Sequence, residues 1–175
     1  MNFPPVIDRL ERVVIFISFV AVGLVPPSST FFLQILDTFG IQMAHLSPNS
    51  VVILEIFAHF CEMFVGVPPS VALFRHFFVL RPAGKKRGFS TTDVTGCCNF
   101  RLRDGLAELY IPQVLQSNWD DWRHDWVYVD VSPHDRLTLP EVAAEPQRSI
   151  WETALAEDER MRPVLNCIDD CARRG

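Results

Sequence analysis

Three features of this sequence predict an α+β fold whose first half is mostly helical. The longest apolar run, His45 to Pro82, carries clear helix start and stop signals. Short β-branched and aromatic stretches near residues 13–19, 97–103 and 126–131 read as strands and predict one small sheet. The chain has 175 residues, 49% of them hydrophobic, with fourteen Phe and thirteen Pro, which is enough apolar mass for a real core punctuated by turns.

Taken in order, residues 1–10 are a lead-in without pattern. Val13–Phe19 reads as a fully buried strand, within an apolar run that ends at Gly23 and is broken by Pro26 and Pro27. That run, Val13–Val25, is thirteen residues long, short of the ~20 that span a bilayer. Asp8 and Glu11 interrupt the basic leader that a signal peptide needs, and no small-x-small cleavage site follows, so the expectation is a soluble chain with no membrane partner. Ser28, Ser29 and Thr30 offer caps for a helix that runs through Phe39, with Phe31, Phe32, Ile35, Leu36 and Phe39 inward and Gly40 as its stop.

The central stretch predicts a helical hairpin. Ser47 followed by Pro48 is an N-cap with proline at the first helical position, where its missing N–H costs nothing, and Gly66 ends the helix. Val67, Pro68 and Pro69 turn the chain, Ser70 caps the second helix, and Pro82 forces its end. Between Val51 and Val65 the only polar residues are Glu55, His59 and Glu62, which fall on one narrow stripe of an otherwise apolar cylinder. Such a helix belongs at the centre of the core.

Residues 83–96 are small, polar and basic, as an exposed loop is. Cys97–Arg103 sets Cys98, Phe100 and Leu102 against Asn99, Arg101 and Arg103, the alternation of a half-buried strand, and Asp104-Gly105 makes a turn. Trp126–Val131 is a further strand, broken by Ser132 and Pro133. Past Leu139 the chain is acidic, with helix-compatible runs at Ser149–Glu159 and Pro163–Ala172, neither showing a broad apolar stripe. The expected organisation is one domain over residues 1–140 and a peripheral, partly helical or disordered tail over 141–175.

Several stretches resemble the gypsy-type transposon domain of plant retroelement proteins. They are GIQMAHLSPN from Gly40 to Asn49, AHFCEMFVG from Ala58 to Gly66 and FRHFFVLRP from Phe74 to Pro82. Upstream stand ERVVIF from Glu11 to Phe16 and VGLVPP from Val22 to Pro27; downstream stands NWDDWRHDWVYV from Asn118 to Val129. The resemblance covers roughly residues 6 to 140 and implies a retroelement origin, but it brings no catalytic residues with it.

A net charge of −5 argues against a general nucleic-acid binder, although Arg75–Arg103 carries +6 against −11 for the rest of the chain. Arg81, Lys85, Lys86 and Arg87, with Arg101 and Arg103, are therefore the candidate nucleic-acid contacts. Trp119, Trp122 and Trp126 recur at spacings that one helical turn would align; Asp120, Asp121 and Asp125 would repel phosphate, which leaves Trp119 and Trp122 as candidate protein contacts. Glu55, His59 and Glu62 lack the second cluster a metal site needs, so no metal and no cofactor are expected. Five irregularly spaced cysteines make a poor disulfide framework and favour an intracellular place, nuclear or cytoplasmic. No phosphate loop, dinucleotide fingerprint, zinc-protease or nucleophile-elbow motif, retroelement-protease triplet or nucleocapsid zinc knuckle occurs. The expectation is a non-enzymatic protein that associates with an unknown protein partner, or a degenerate remnant of the element, with weak nucleic-acid association through the 81–87 loop as the alternative.

Overall fold

The computed structural model describes residues 12–25, 28–82, 95–112, 114–116, 119–130 and 161–174. Expectations for residues 1–10, Pro26-Pro27, the 83–94 loop, Ser132-Pro133 and the run at 149–159 lie outside the described residues. The elements in order are β1 (Arg12–Phe16), α1 (Ile17–Ala21), α2 (Thr30–Phe39), α3 (Pro48–Phe60), α4 (Val71–Phe77), β2 (Phe78–Pro82), β3 (Cys98–Leu102), β4 (Trp126–Asp130) and α5 (Arg162–Arg174). Short 3-10 turns stand at Met43–His45 and Ala107–Leu109, and a π-helical turn at Cys61–Val65 extends α3. The fold is α+β.

The capping signals act where the sequence put them. Ser29, Ser47 and Ser70 each accept, through the side-chain oxygen, the backbone N–H three residues on, at 3.2, 3.3 and 3.2 Å, which satisfies a donor that the first helical turn leaves unpaired. Gly40 and Gly66 adopt left-handed φ of 58° and 75° at the two helix stops. All five residues assigned to the inward face of α2 are buried.

In three places the chain departs from expectation. First, two separate two-stranded antiparallel sheets replace the single small sheet: β1 pairs with β4, and β2 with β3. Second, the segment after Ser70 is helical only to Phe77. Phe78–Pro82 then runs as β2, because its aromatic and β-branched side chains meet β3 in register and the Arg103 N–H reaches the Phe77 carbonyl at 2.7 Å to extend the ladder. Third, the strand expected through Phe19 stops at Phe16. Residues 17–21 coil into α1, which turns Phe19 inward to stack on Trp122 at 5.5 Å. Gly23, at φ +114°, closes that turn where an added Cβ would sit 3.3 Å from the Glu55 side chain.

The core is aromatic and centred on α3. Phe57, fully buried, meets Phe31 at 5.5 Å, Phe74 at 5.1 Å and Phe78 at 6.2 Å; Phe74 also contacts Phe100 at 4.9 Å. Edge-to-face and offset rings of this kind are the favoured geometry of clustered aromatics. Ser50, also fully buried, joins the start of α3 to β3: its hydroxyl accepts the Phe100 N–H at 3.1 Å and donates to the Cys98 carbonyl at 3.4 Å. Helix α5 packs on the π turn and on the Ala107–Leu109 turn, and its Ile168 is fully buried in the same core. Val164, Leu165 and Cys171, partly buried, pack beside Ile168 in a narrow stripe.

Helix α3 and its π turn, Pro48–Val65, are together long and apolar enough to cross a membrane by length and composition. Val51, Ile53, Leu54, Phe57, Phe60 and Cys61 are nevertheless covered by the rest of the protein, as in the core helix of a globular domain.

Candidate functional site

An α-helix repeats every 3.6 residues, and a π turn inserts extra backbone into that repeat, so side chains beyond it rotate off the face they would have followed. Here the insertion comes at Cys61–Val65. It leaves Met63 and Phe64 each 67% exposed, although they belong to the most apolar stretch of the chain. Phe64 stacks on Phe60 at 5.9 Å and stands edge-on to His59 at 6.3 Å, an i to i+5 contact. Beside it opens a groove of about 310 Å³ lined by Glu55, Ile56, His59, Phe60, Phe64 and Ile111.

Glu55 is half-buried in this groove, and burial pushes its carboxyl above the usual carboxylate range. Among the described residues no side chain donates a hydrogen bond to it. Arg75 lies over the Phe39 ring at 5.9 Å. His59 and Glu62 are exposed. Among the described residues no group of three or more His, Cys, Asp or Glu gathers as metal ligands would.

Nucleophile chemistry is equally poorly served. Burial, followed by the charge of Glu62, pushes the Cys61 thiol up to about 12. A side-chain hydrogen bond with Cys97, followed by burial, raises Cys98 further. Both thiols stay protonated near neutral pH, and the thiolate is the reactive form.

Of the basic candidates, Arg81 and Arg101 are exposed and share the outer face of the β2–β3 ribbon. In its register Arg81 faces Asn99 and Val79 faces Arg101, so the two arginines are diagonal neighbours. Arg103 is half-buried, and its Nε donates to the Arg75 carbonyl at 2.9 Å. Lys85, Lys86 and Arg87 lie outside the described residues.

The two tryptophan candidates turn out to serve different contacts. Trp119 donates its indole N–H to Asn49 Oδ1 at 2.9 Å, while Asn49 Nδ2 donates to the Gln116 carbonyl at 2.8 Å, fastening this segment to the start of α3. Trp122 is half-buried between Phe16 at 5.0 Å and Phe19 at 5.5 Å, with Arg123 over its ring at 5.0 Å. The sequence reading missed the groove itself, since Ile56, Phe60 and Phe64 look like further core positions. The available signal was a surplus: an all-apolar helix has more faces than a small domain has neighbours to cover.

No curated protein and no solved structure matches the chain. A family model described as "Putative gypsy type transposon" matches residues 13–82, from β1 to the end of β2, so that β3, the tryptophan segment and β4 lie beyond the match. Over residues 13–82 this chain matches a gypsy-type transposon domain, which supports a retroelement-derived protein.

Proposed function

We propose that this protein is a non-enzymatic association module that binds another protein through the groove beside Phe64. The observation that carries the reading is the pair Met63 and Phe64, each 67% exposed on a π turn next to an apolar recess. Large apolar side chains grouped at the surface beside a concavity mark interaction sites more often than solvated faces. π turns inside helices also recur at functional positions. The protonated, buried thiols, and the lack among the described residues of any group of three or more His, Cys, Asp or Glu, support association over catalysis.

The test places a photo-crosslinking residue at position 63 and, as control, at Gln34 on the exposed side of α2. The expected result is a discrete adduct with one partner from position 63, absent from position 34 and lost when Phe64→Ser is added. Equal labelling from both positions, or no discrete adduct, would refute the proposal.

A second reading, weak contact with nucleic acid, is favoured by the exposed Arg81 and Arg101 on one face of β2–β3. With a net charge of −5 on the whole chain, binding should be no tighter than roughly 10⁻⁴ to 10⁻⁶ M, the range of non-specific electrostatic association, and should vanish with added salt. Nanomolar binding to labelled DNA or RNA that survives about 200 mM salt would reverse the order of the two readings.

A further inference from the structure

We infer that the groove beside Phe64 takes a basic amphipathic helix from another protein, seating one large apolar side chain against Ile56, Phe60 and Ile111 while Lys or Arg residues face Glu55 and Glu62. The inference rests on the groove being the association site proposed above. Its first support is size. A recess of about 310 Å³ holds one or two apolar side chains, the anchor of a helix-in-groove contact, and falls at the small end of pockets that enclose a whole ligand.

Charge supplies the second support. From Pro48 to Gly66 the only charged residues are Glu55 and Glu62, both acidic, and neither Lys nor Arg occurs. Glu55 is already partly desolvated and, among the described residues, receives no hydrogen bond, so an incoming cation would find a carboxylate short of partners. The two acids are seven residues apart in the chain, Glu55 lining the groove and Glu62 exposed on the π turn outside that lining. Two basic residues seven apart on a partner helix, with the apolar anchor between them, match that spacing.

A second copy of this chain fits less well. A two-fold axis through His59 would set Glu55 of one copy against Glu62 of the other, and like charges brought face to face oppose association.

The experiment titrates the full chain against a fluorescently labelled helical peptide carrying two Lys seven positions apart with Leu between them, read by anisotropy. Parallel peptides replace both Lys by Glu, or Leu by Ala. The Lys/Leu peptide should bind, and binding should weaken with either altered peptide and with Phe64→Ser. Combining Glu55→Gln with Glu62→Gln should weaken it about three- to fivefold for each charge removed and flatten its salt dependence, the size expected of partly exposed ion pairs. Unchanged melting of the Gln variants checks that the fold is intact.

Equal binding of the Glu peptide, or an unchanged affinity in the Gln variants, would overturn the charge inference while the crosslinking result kept the groove as an association site. Binding that ignores Phe64→Ser, or failure of every peptide while crosslinking from position 63 persists, would also overturn it. Concentration-dependent self-association abolished by Phe64→Ser would assign the groove to a second copy. If position 63 gives no adduct either, the association reading falls together with the inference.

Discussion

Helices α2 and α3 both begin at a serine cap, both lead to a left-handed glycine and both are rich in apolar side chains, yet they meet the solvent differently. In α2 the apolar residues Phe31, Phe32, Ile35, Leu36 and Phe39 fall on one side and are all buried, while Gln34 and Asp37 are exposed. In α3 and its π turn there is little contrast between sides. Ile53, Leu54, Phe57 and Phe60 are buried, but Met63 and Phe64, no less apolar, are exposed. A helix with contrast is oriented by its own sequence, whereas an all-apolar one is oriented by its neighbours and leaves its surplus outside. In this protein the surplus borders the groove.

The comparison breaks most readily at the two phenylalanines of the second helix. Phe57→Ala should destabilise the protein by ~3 to 5 kcal/mol, because a fully buried ring in contact with three others leaves a cavity behind. Thermal or urea denaturation of Phe57→Ala beside Phe64→Ala measures the contrast, and equal losses would mean that Phe64 belongs to the core. A smaller effect tests whether the caps matter alike in the two helices. Ser29→Ala and Ser47→Ala should each cost about 1 kcal/mol, the usual loss for an N-cap hydroxyl. A much larger loss at Ser47 would point to its side-chain contact with Asn99 in β3 rather than to the cap.

Acid should sharpen the comparison further, since only the second helix has a buried imidazole at its approach. His45 Nδ1 accepts the Gln42 N–H at 3.0 Å, and its Nε2 is buried with no partner among the described residues. Burial lowers its pKa from 6.5, so as pH falls the unfolded chain takes up the proton before the folded one does. This contribution to stability is complete above pH 6.5 and is lost as pH drops below it, levelling off only beneath the folded value. Urea midpoints measured on either side of that value should fall with acid, and less so in His45→Gln; an identical fall in the variant would assign the effect to other groups. The smallest expected effects are at the groove. Phe64→Ala and Glu55→Ala should each change stability by within about 0.5 to 1 kcal/mol, as substitutions outside the packed core do. A larger loss for Glu55→Ala would mean that the carboxyl makes a structural contact.

Capping and turn chemistry was the part of the fold most legible in the sequence, because it depends on neighbouring residues only. Ser29, Gly40, Ser47, Pro48, Gly66 and Ser70 all took the local roles their residue types favour. Elements decided by distant partners were harder to read. Phe78–Leu80 suits a helix as well as a strand until β3 arrives beside it, and Ile17–Ala21 coils because Phe19 is drawn toward Trp122, more than a hundred residues away. In α5 a single buried residue, Ile168, anchors the helix, too faint a stripe to stand out among acids and arginines. The candidate site was legible only in its polar half. Glu55, His59 and Glu62 were visible as a stripe, while the apolar half depended on a π turn that no residue pattern announced.

The family-matched span, residues 13–82, contains β1 and β2, but their partners β4 and β3 lie after it in the chain. The matched span and the folding unit therefore do not coincide. Closing the β1–β4 ladder brings together residues more than a hundred apart, a pairing of high contact order whose loop entropy must be met before the ladder repays it. During synthesis β1 emerges early and waits for nearly the whole of the described fold before its edge is covered. A fragment ending at Pro82 would hold two strands without partners, and exposed strand edges of this kind pair with other chains. Such a fragment should aggregate where the longer chain folds, so the span that the family model matches is physically completed by sequence outside it.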